Sequence, residues 1–324
     1  MRRPRSLLRP RALPRGGTIG ICSPAGPVDE KLLREGTEWL TAEGFAVVTA
    51  PHVLGRRGYL SGSDEERLGD FLGLLRDPAI DAILFSRGGF GTARWLPRVD
   101  AAELRAARKL IVGYSDVTSV GLFLRRCAGL VSIHGPMLRS DATPEARARL
   151  FALACGEPEG RSALAGEGLR RGRVEAPLVG GNLTLVAGSL GTPWEVETRG
   201  AILFLEEVSE QPYAIDRFLT QLRNAGKLAG LAGVALGRFA NCESERYTEV
   251  TSADVLREVF QSAFDGPIVA GLAFGHVPDN LALAIGVRAR LDGGAGTLAL
   301  LEDAVRTPSV ARSTLAKPRQ GSAA

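Results

Sequence analysis

The feature that most constrains this chain is a repeated alternation of short apolar runs with stretches of helical periodicity. Residues 17–22 (GTIGIC), 45–49 (FAVVT), 81–85 (DAILF) and 109–113 (KLIVG) are five or six residues long and mostly apolar. That is too short for a helix and suits a buried strand. Between the first two, Leu32 and Trp39, and likewise Leu33 and Leu40, recur seven apart across residues 28–43, and Gly44 ends the pattern. Ser63 with Glu66 three residues later forms a capping box that opens a helix running to Leu75. A helix over 117–126 and an apolar stretch at 130–133 follow. Strands alternating with helices predict a parallel sheet covered on both faces, an α/β fold.

At 324 residues the chain has the length of about two domains. Residues 156–173 (GEPEGRSALAGEGLRRGR) are rich in Gly, Glu and Arg without periodicity and are expected to form a linker. Beyond them come a strand at 201–205, a helix at 212–223, a strand at 234–239 and a helix at 253–263. Segments at 267–272, 281–291 and 296–301 are β-rich. The expected organisation is an N-terminal doubly wound parallel-sheet domain over 16–155 and a smaller β-rich α/β C-terminal domain over 174–307. Tails at 1–15 and 308–324 are expected to be disordered. Residues 176–194 carry no charge, but their four glycines, two prolines and asparagine read as loop and turn, not as a membrane span.

Charge narrows the function classes. The net +4 comes from 40 bases and 36 acids. Residues 1–15 hold six arginines and no acid, and residues 308–324 hold three bases and no acid. Without those nine bases the body carries 31 against 36 acids, so it is acidic and no nucleic-acid partner is expected. The arginine-rich start lacks the apolar run of a secretory signal, and the four cysteines (Cys22, Cys127, Cys155, Cys242) lie far apart. A reduced, cytoplasmic setting is the simplest reading. Neither cysteines nor histidines show metal-ligand spacing, so no metal and no cofactor is expected.

Four segments have the residue types for chemistry, and ligands of open parallel sheets bind at strand carboxyl ends. Ser115, in Gly113-Tyr114-Ser115-Asp116, lies between a buried strand and a helix, where a sharp turn exposes a hydroxyl. A plain N-cap serine is the competing reading, and position alone favours it. Arg87-Gly88-Gly89-Phe90-Gly91 follows strand 81–85, and its glycines let backbone N–H groups approach a ligand. It lacks both the dinucleotide and the P-loop spacing, so a simple glycine turn competes equally. Glu206 and Glu207 end strand 201–205, where a carboxylate can orient a histidine. His276, between Gly275 and Pro278, can act as a base near neutral pH. Of the other histidines, His52 falls in a loop, and His134 ends an apolar strand, where a hydrogen-bonded core imidazole is expected. Each segment is weak evidence alone. Together they supply the parts of acyl transfer: nucleophile, base, orienting acid and oxyanion donors.

These residues lie within a wider resemblance. The blocks GTIGICSPAGP, FSRGGFGTARWLP, LIVGYSDVTSV, SIHGPM, LVGGNLTLVAGSLGTPWE, AILFLEEVSEQPYAIDRFLTQL and FGHVPDNLALAIG occur in that order over residues 16–302. The chain resembles the LD-carboxypeptidase family of serine peptidases, the muramoyltetrapeptide carboxypeptidases, which includes microcin C self-immunity proteins. The resemblance implies that Ser115 is the nucleophile, His276 the base and Glu206 the acid, with Glu207 one residue away as the alternative. It implies an oxyanion hole from the backbone N–H groups of Gly89 and Asp116, and an active site between two domains. Arg87 is the nearest candidate by sequence for the substrate's terminal carboxylate, with Gly88 beside it.

The implied reaction is hydrolysis of the amide joining an L-centre to a terminal D-amino acid. In the usual case D-alanine leaves a murein tetrapeptide during cytoplasmic cell-wall recycling, and the family often forms homodimers. Two rival readings remain. One is a microcin-immunity-like hydrolase of aminoacyl-nucleotide conjugates. The other is a non-catalytic α/β protein that binds a nucleotide or sugar through the glycine loop.

Overall fold

The computed structural model describes residues 7–138, 141–246 and 248–307. The apolar runs become β1 (Thr18–Cys22), β2 (Ala46–Thr49), β3 (Ala82–Phe85), β4 (Leu110–Val112) and β5 (Ser132–His134). β3 and β4 are buried at every residue, as in strands covered on both faces, whereas β2 is a largely exposed edge. All five are parallel in the order β2-β1-β3-β4-β5. The direction of winding reverses between β1 and β3, which opens a crevice outside their carboxyl ends. The helix Asp64–Arg76 begins at the expected capping box: Ser63 Oγ accepts from the Glu66 N–H, and Glu66 Oε2 accepts from the Ser63 N–H at 2.7 Å.

A second, eight-stranded sheet follows, made from β6 (Leu164–Ala165), β7 (Glu167–Arg170), β8 (Arg173–Asn182), β9 (Ile202–Val208), β10 (Gly233–Ala240) and β11 (Ile268–Ala270). The next strand, β12 (Leu283–Ile285), crosses back and pairs antiparallel with β5 in the first sheet. β13 (Arg288–Asp292) and β14 (Thr297–Leu300) then return to the second. Strands β8 to β11 are parallel, and β13, β14, β6 and β7 flank them antiparallel. The α/β class and the β-rich second unit are therefore as expected from sequence.

Three segments differ from expectation. Residues 7–15 are docked: Leu8 N–H donates to Gly129 O at 2.8 Å, Leu13 is buried, and Arg15 clasps Glu157. Their leucines find apolar cover that the surrounding arginines and prolines conceal in sequence. Residues 156–173, read as a linker, hold a 3-10 turn (Pro158–Arg161) and two edge strands. Residues 176–194, read as loop, supply most of the central strand β8 and the helix Leu183–Gly188. Two glycines explain that misreading. A Cβ on Gly180 would fall 1.8 Å from Phe204 O, and one on Gly181 2.5 Å from the Thr118 side chain. Glycine sits inside this strand because neighbours approach it so closely. Gly181 thereby lets β8 meet the helix Thr118–Phe123, which brings the carboxyl ends of β4 and β9 together. The tail expectations for residues 1–6 and 308–324 lie outside the described residues. Among the described residues no helix is long and apolar enough to cross a membrane.

Candidate active site

Ser115 sits where the chain turns from β4 into a 3-10 turn (Ser115–Val117) and then a helix. Tyr114 is extended, and Ser115 itself takes φ +63°, a left-handed conformation that costs an L-residue about 1–2 kcal/mol. The turn is tight behind it as well, since a Cβ on Gly113 would lie 2.8 Å from Val117. Ser115 is thus a strained corner residue, not a plain N-cap, and no side-chain cap bond forms at this helix start.

Two residues from the second half of the chain meet this serine. His276 Nε2 lies 3.0 Å from Ser115 Oγ, and its Nδ1 lies 2.7 Å from Glu206 Oε2. Glu206 is completely buried at the end of β9, while His276 retains 14% side-chain exposure. The histidine loop is shaped around that acid. Gly275 has φ +119°, and a Cβ there would come within 3.0 Å of Glu206 Cβ and Oε2. The Gly275 N–H donates to Asn280 Oδ1 at 3.0 Å, and the Tyr114 ring packs on the imidazole at 4.8 Å. Glu207 points elsewhere. Its carboxylate accepts from Asn182 Nδ2 (2.7 Å), Val208 N–H (2.8 Å), Thr184 N–H (2.8 Å) and Thr184 Oγ1 (2.7 Å), so it caps the helix Leu183–Gly188.

The glycine loop closes over the serine. A Cβ on Gly88 would lie 2.7 Å from Ser115 Oγ and 3.4 Å from the Asp116 nitrogen. Gly89 takes φ +116°, and Gly88 O accepts from the Gly26 N–H at 3.0 Å. The Asp116 side chain, which sequence left without a role, ties this loop to the serine turn. Its Oδ2 accepts from the Thr92 N–H at 2.8 Å, and Thr92 Oγ1 donates to Asp116 O at 2.9 Å. Burial pushes the Asp116 carboxyl above its ordinary range, against the opposing hydrogen bonds from Thr92. Buried Arg67 braces the next layer, donating to Pro24 O (2.6 Å) and Gly91 O (2.9 Å) and pairing with Asp64. Trp95 Nε1 donates to the same Pro24 carbonyl at 3.0 Å.

Ser115, His276 and the Arg87-Gly88-Gly89 loop face a common cleft of about 320 Å³. Arg87 is exposed there and donates to Pro27 O at 3.2 Å, from the loop after β1. The other histidines stay apart. His52 meets Asp70 at 2.8 Å, and that bond raises its pKa. His134 is in the core as expected but is not hydrogen-bonded: neither ring nitrogen has a partner among the described residues. Burial pushes it down to about 3, with His276 adding in the same direction. Tyr114, Phe204 and Phe274 enclose its ring. Among the described residues no group of His, Cys, Asp or Glu side chains is arranged to hold a metal ion. An imidazole between a hydroxyl and a buried carboxylate can take the hydroxyl proton during nucleophilic attack and return it to a leaving group.

Comparison with known proteins points the same way as this geometry. Residues 19–135 match the LD-carboxypeptidase N-terminal domain, and residues 175–291 match the LD-carboxypeptidase C-terminal domain. A probable murein peptide carboxypeptidase of Bacillus subtilis is 36% identical over 293 residues, covering 88% of this chain and 91% of that protein. The crystal structure of a muramoyltetrapeptide carboxypeptidase from Oxalobacter formigenes superposes with a TM-score of 0.77 at 30% identity, covering 87% of this chain and 97% of that one. The microcin C7 self-immunity protein of Escherichia coli is 25% identical over 332 residues, covering 90% of this chain and 95% of that protein.

Proposed function

The chain belongs to the LD-carboxypeptidase family and is a serine-type carboxypeptidase, and on that premise we propose that it releases terminal D-alanine from murein tetrapeptides through a Ser115–His276–Glu206 triad. The reading rests chiefly on one observation, the unbroken hydrogen-bonded path from Ser115 Oγ through His276 to Glu206 Oε2. In this mechanism His276 Nε2 takes the Ser115 proton as Oγ attacks the carbonyl of the L-centre. Glu206 holds the imidazole in the right tautomer and stabilises its cation. The N–H groups of Gly89 and Asp116 stabilise the tetrahedral oxyanion. His276 then protonates the departing amine of D-alanine. Water, deprotonated by the same imidazole, hydrolyses the acyl-enzyme and restores the serine. Arg87, at the mouth of the cleft, and the Gly88 backbone beside it receive the substrate's terminal carboxylate.

The names of the Bacillus and Oxalobacter relatives support a small murein peptide as substrate. Cytoplasmic cell-wall recycling and a homodimeric state complete the proposal, the latter to be tested by light scattering. The decisive experiment incubates the protein with purified murein tetrapeptide and measures free D-alanine. Release that disappears in Ser115→Ala is the expected result. No release from tetrapeptide, beside cleavage of an aminoacyl-nucleotide conjugate, would overturn the substrate assignment in favour of the microcin-immunity-like reading.

A further inference from the structure

Ser115 lies at the carboxyl edge of the first sheet; at the amino edge, near the starts of β3 and β4, the chain gathers arginines from distant segments. A cleft of about 720 Å³ there is lined by Arg9, Arg11, Arg105, Arg108 and Arg306, with Asp81 as the carboxylate among its described lining residues. Main-chain bonds bring three of these together. Arg11 N–H donates to Arg108 O at 3.0 Å, Ala12 N–H to Arg306 O at 3.1 Å, and Arg306 N–H to Pro10 O at 2.8 Å.

Those bonds use only backbone, so docking the N-terminal segment does not require arginine at 11 or 306. Arg108 has φ +51°, where glycine or asparagine is the easier choice. The carboxyl end of the helix Ala101–Ala107 favours cations, which accounts for Arg105 and Arg108 but not for the other three. Arg9 reaches Glu302 at 3.4 Å, and Arg105 donates to the carbonyls of Ala128 and Gly129. Arg11, Arg108 and Arg306 make no ion pair among the described residues. Asp81, whose Oδ2 accepts from the Thr18 N–H at 2.8 Å, offsets only part of the charge of the five arginines. The fold therefore concentrates positive charge in a concavity without neutralising it, which focuses an attractive field for anions.

We propose that this cleft binds the pyrophosphate group of a small molecule, with Arg11, Arg108 and Arg306 as its principal partners. A guanidinium fork matches phosphate oxygens two at a time, and three such forks suit the charge of a pyrophosphate. The volume falls within the range of about 300–1,000 Å³ typical of small-molecule sites. It exceeds what pyrophosphate alone needs, leaving room for a nucleoside. Free pyrophosphate and a nucleoside diphosphate share this chemistry. Because the cleft lies on the opposite edge from Ser115, its occupant leaves the peptide site open.

Calorimetric titration of the full chain with orthophosphate, pyrophosphate, ADP and UDP tests this. Pyrophosphate should bind at least about tenfold more tightly than orthophosphate, and added salt should weaken it. The Arg11→Ala/Arg306→Ala variant should lose about tenfold or more in affinity, with its melting temperature and Ser115-dependent hydrolysis unchanged. Arg11→Lys/Arg306→Lys keeps the charge without the fork and should fall between, which separates a binding loss from misfolding. Tighter binding of ADP or UDP than of pyrophosphate assigns the site to a nucleotide, and equal or weaker binding assigns it to free pyrophosphate. No saturable pyrophosphate binding by the parent protein, or full binding by the alanine variant, overturns the proposal.

Discussion

Gly88 and Ser115 are packed so closely that a Cβ on the glycine would lie 2.7 Å from both Cβ and Oγ of the serine. In the proposed mechanism, the space the substrate carbonyl must enter is therefore kept open by a missing side chain. Gly88→Ala should lower kcat/KM about 100-fold or more, as expected when a reacting group is displaced by an ångström. Gly88 is not among the residues with positive φ, so alanine suits its backbone. The clash with Ser115 Cβ must still be relieved by a shift of the loop or of the serine turn, so the melting temperature should fall as well. Steady-state kinetics beside a thermal melt check this; full activity in Gly88→Ala would refute the close-packed geometry.

The strained Ser115 corner makes a separate prediction about stability. Glycine tolerates φ +63° without the steric cost that any L-side chain meets. Ser115→Gly should therefore be more stable than Ser115→Ala by about 1 kcal/mol in denaturant titrations. Both should lose hydrolysis by roughly four to six orders of magnitude, and adding His276→Ala should cost almost nothing more, because members of a triad act as a unit. Equal stability of the glycine and alanine variants would show that the turn carries no strain.

His134 ties acid stability to the core beneath the site. Burial holds its folded pKa down at about 3, so the unfolded chain binds the extra proton between there and the ordinary 6.5. Stability should thus fall as pH drops below about 6.5, with a slope of up to about 1.4 kcal/mol per unit from this residue. Asp116 contributes with the opposite sign in the carboxylate range, because burial raises its pKa. His134→Phe, which keeps an aromatic against Tyr114, Phe204 and Phe274, should flatten the decline measured by melts between pH 4 and 7. An unchanged slope would mean that another group governs acid sensitivity.

What sequence makes visible here is local. β3, β4 and the capped helix Asp64–Arg76 are legible because apolar runs and capping boxes act within a few residues. Ser115, Glu206 and His276 stand out through the order of several blocks, none of which is decisive alone. What stays hidden depends on distant neighbours. Gly180 and Gly181 read as a turn until Phe204 and Thr118 are seen pressing on them. Nothing local in the sequence marks Arg67 as buried; only the structure shows the Pro24 and Gly91 carbonyls on its guanidinium. Residues 7–15 read as a loose tail because the groove that covers Leu13 comes from elsewhere in the chain.

Adjacent acids at the end of β9 give the sharpest test of the proposed triad. Glu206 Oε2 lies 2.7 Å from His276 Nδ1, whereas Glu207 accepts four hydrogen bonds around the helix Leu183–Gly188. Glu206→Gln should leave the fold intact but lower kcat about 10⁴-fold, since an amide can hold the imidazole in the wrong tautomer. Glu207→Gln should do the reverse. Its new NH2 would face donors, costing about 1–3 kcal/mol of stability, while kcat falls only a few-fold. Measuring kcat and the melting temperature of both variants separates the roles. A large kcat loss in Glu207→Gln with wild-type activity in Glu206→Gln would move the orienting acid by one residue and remove the basis of the proposed mechanism.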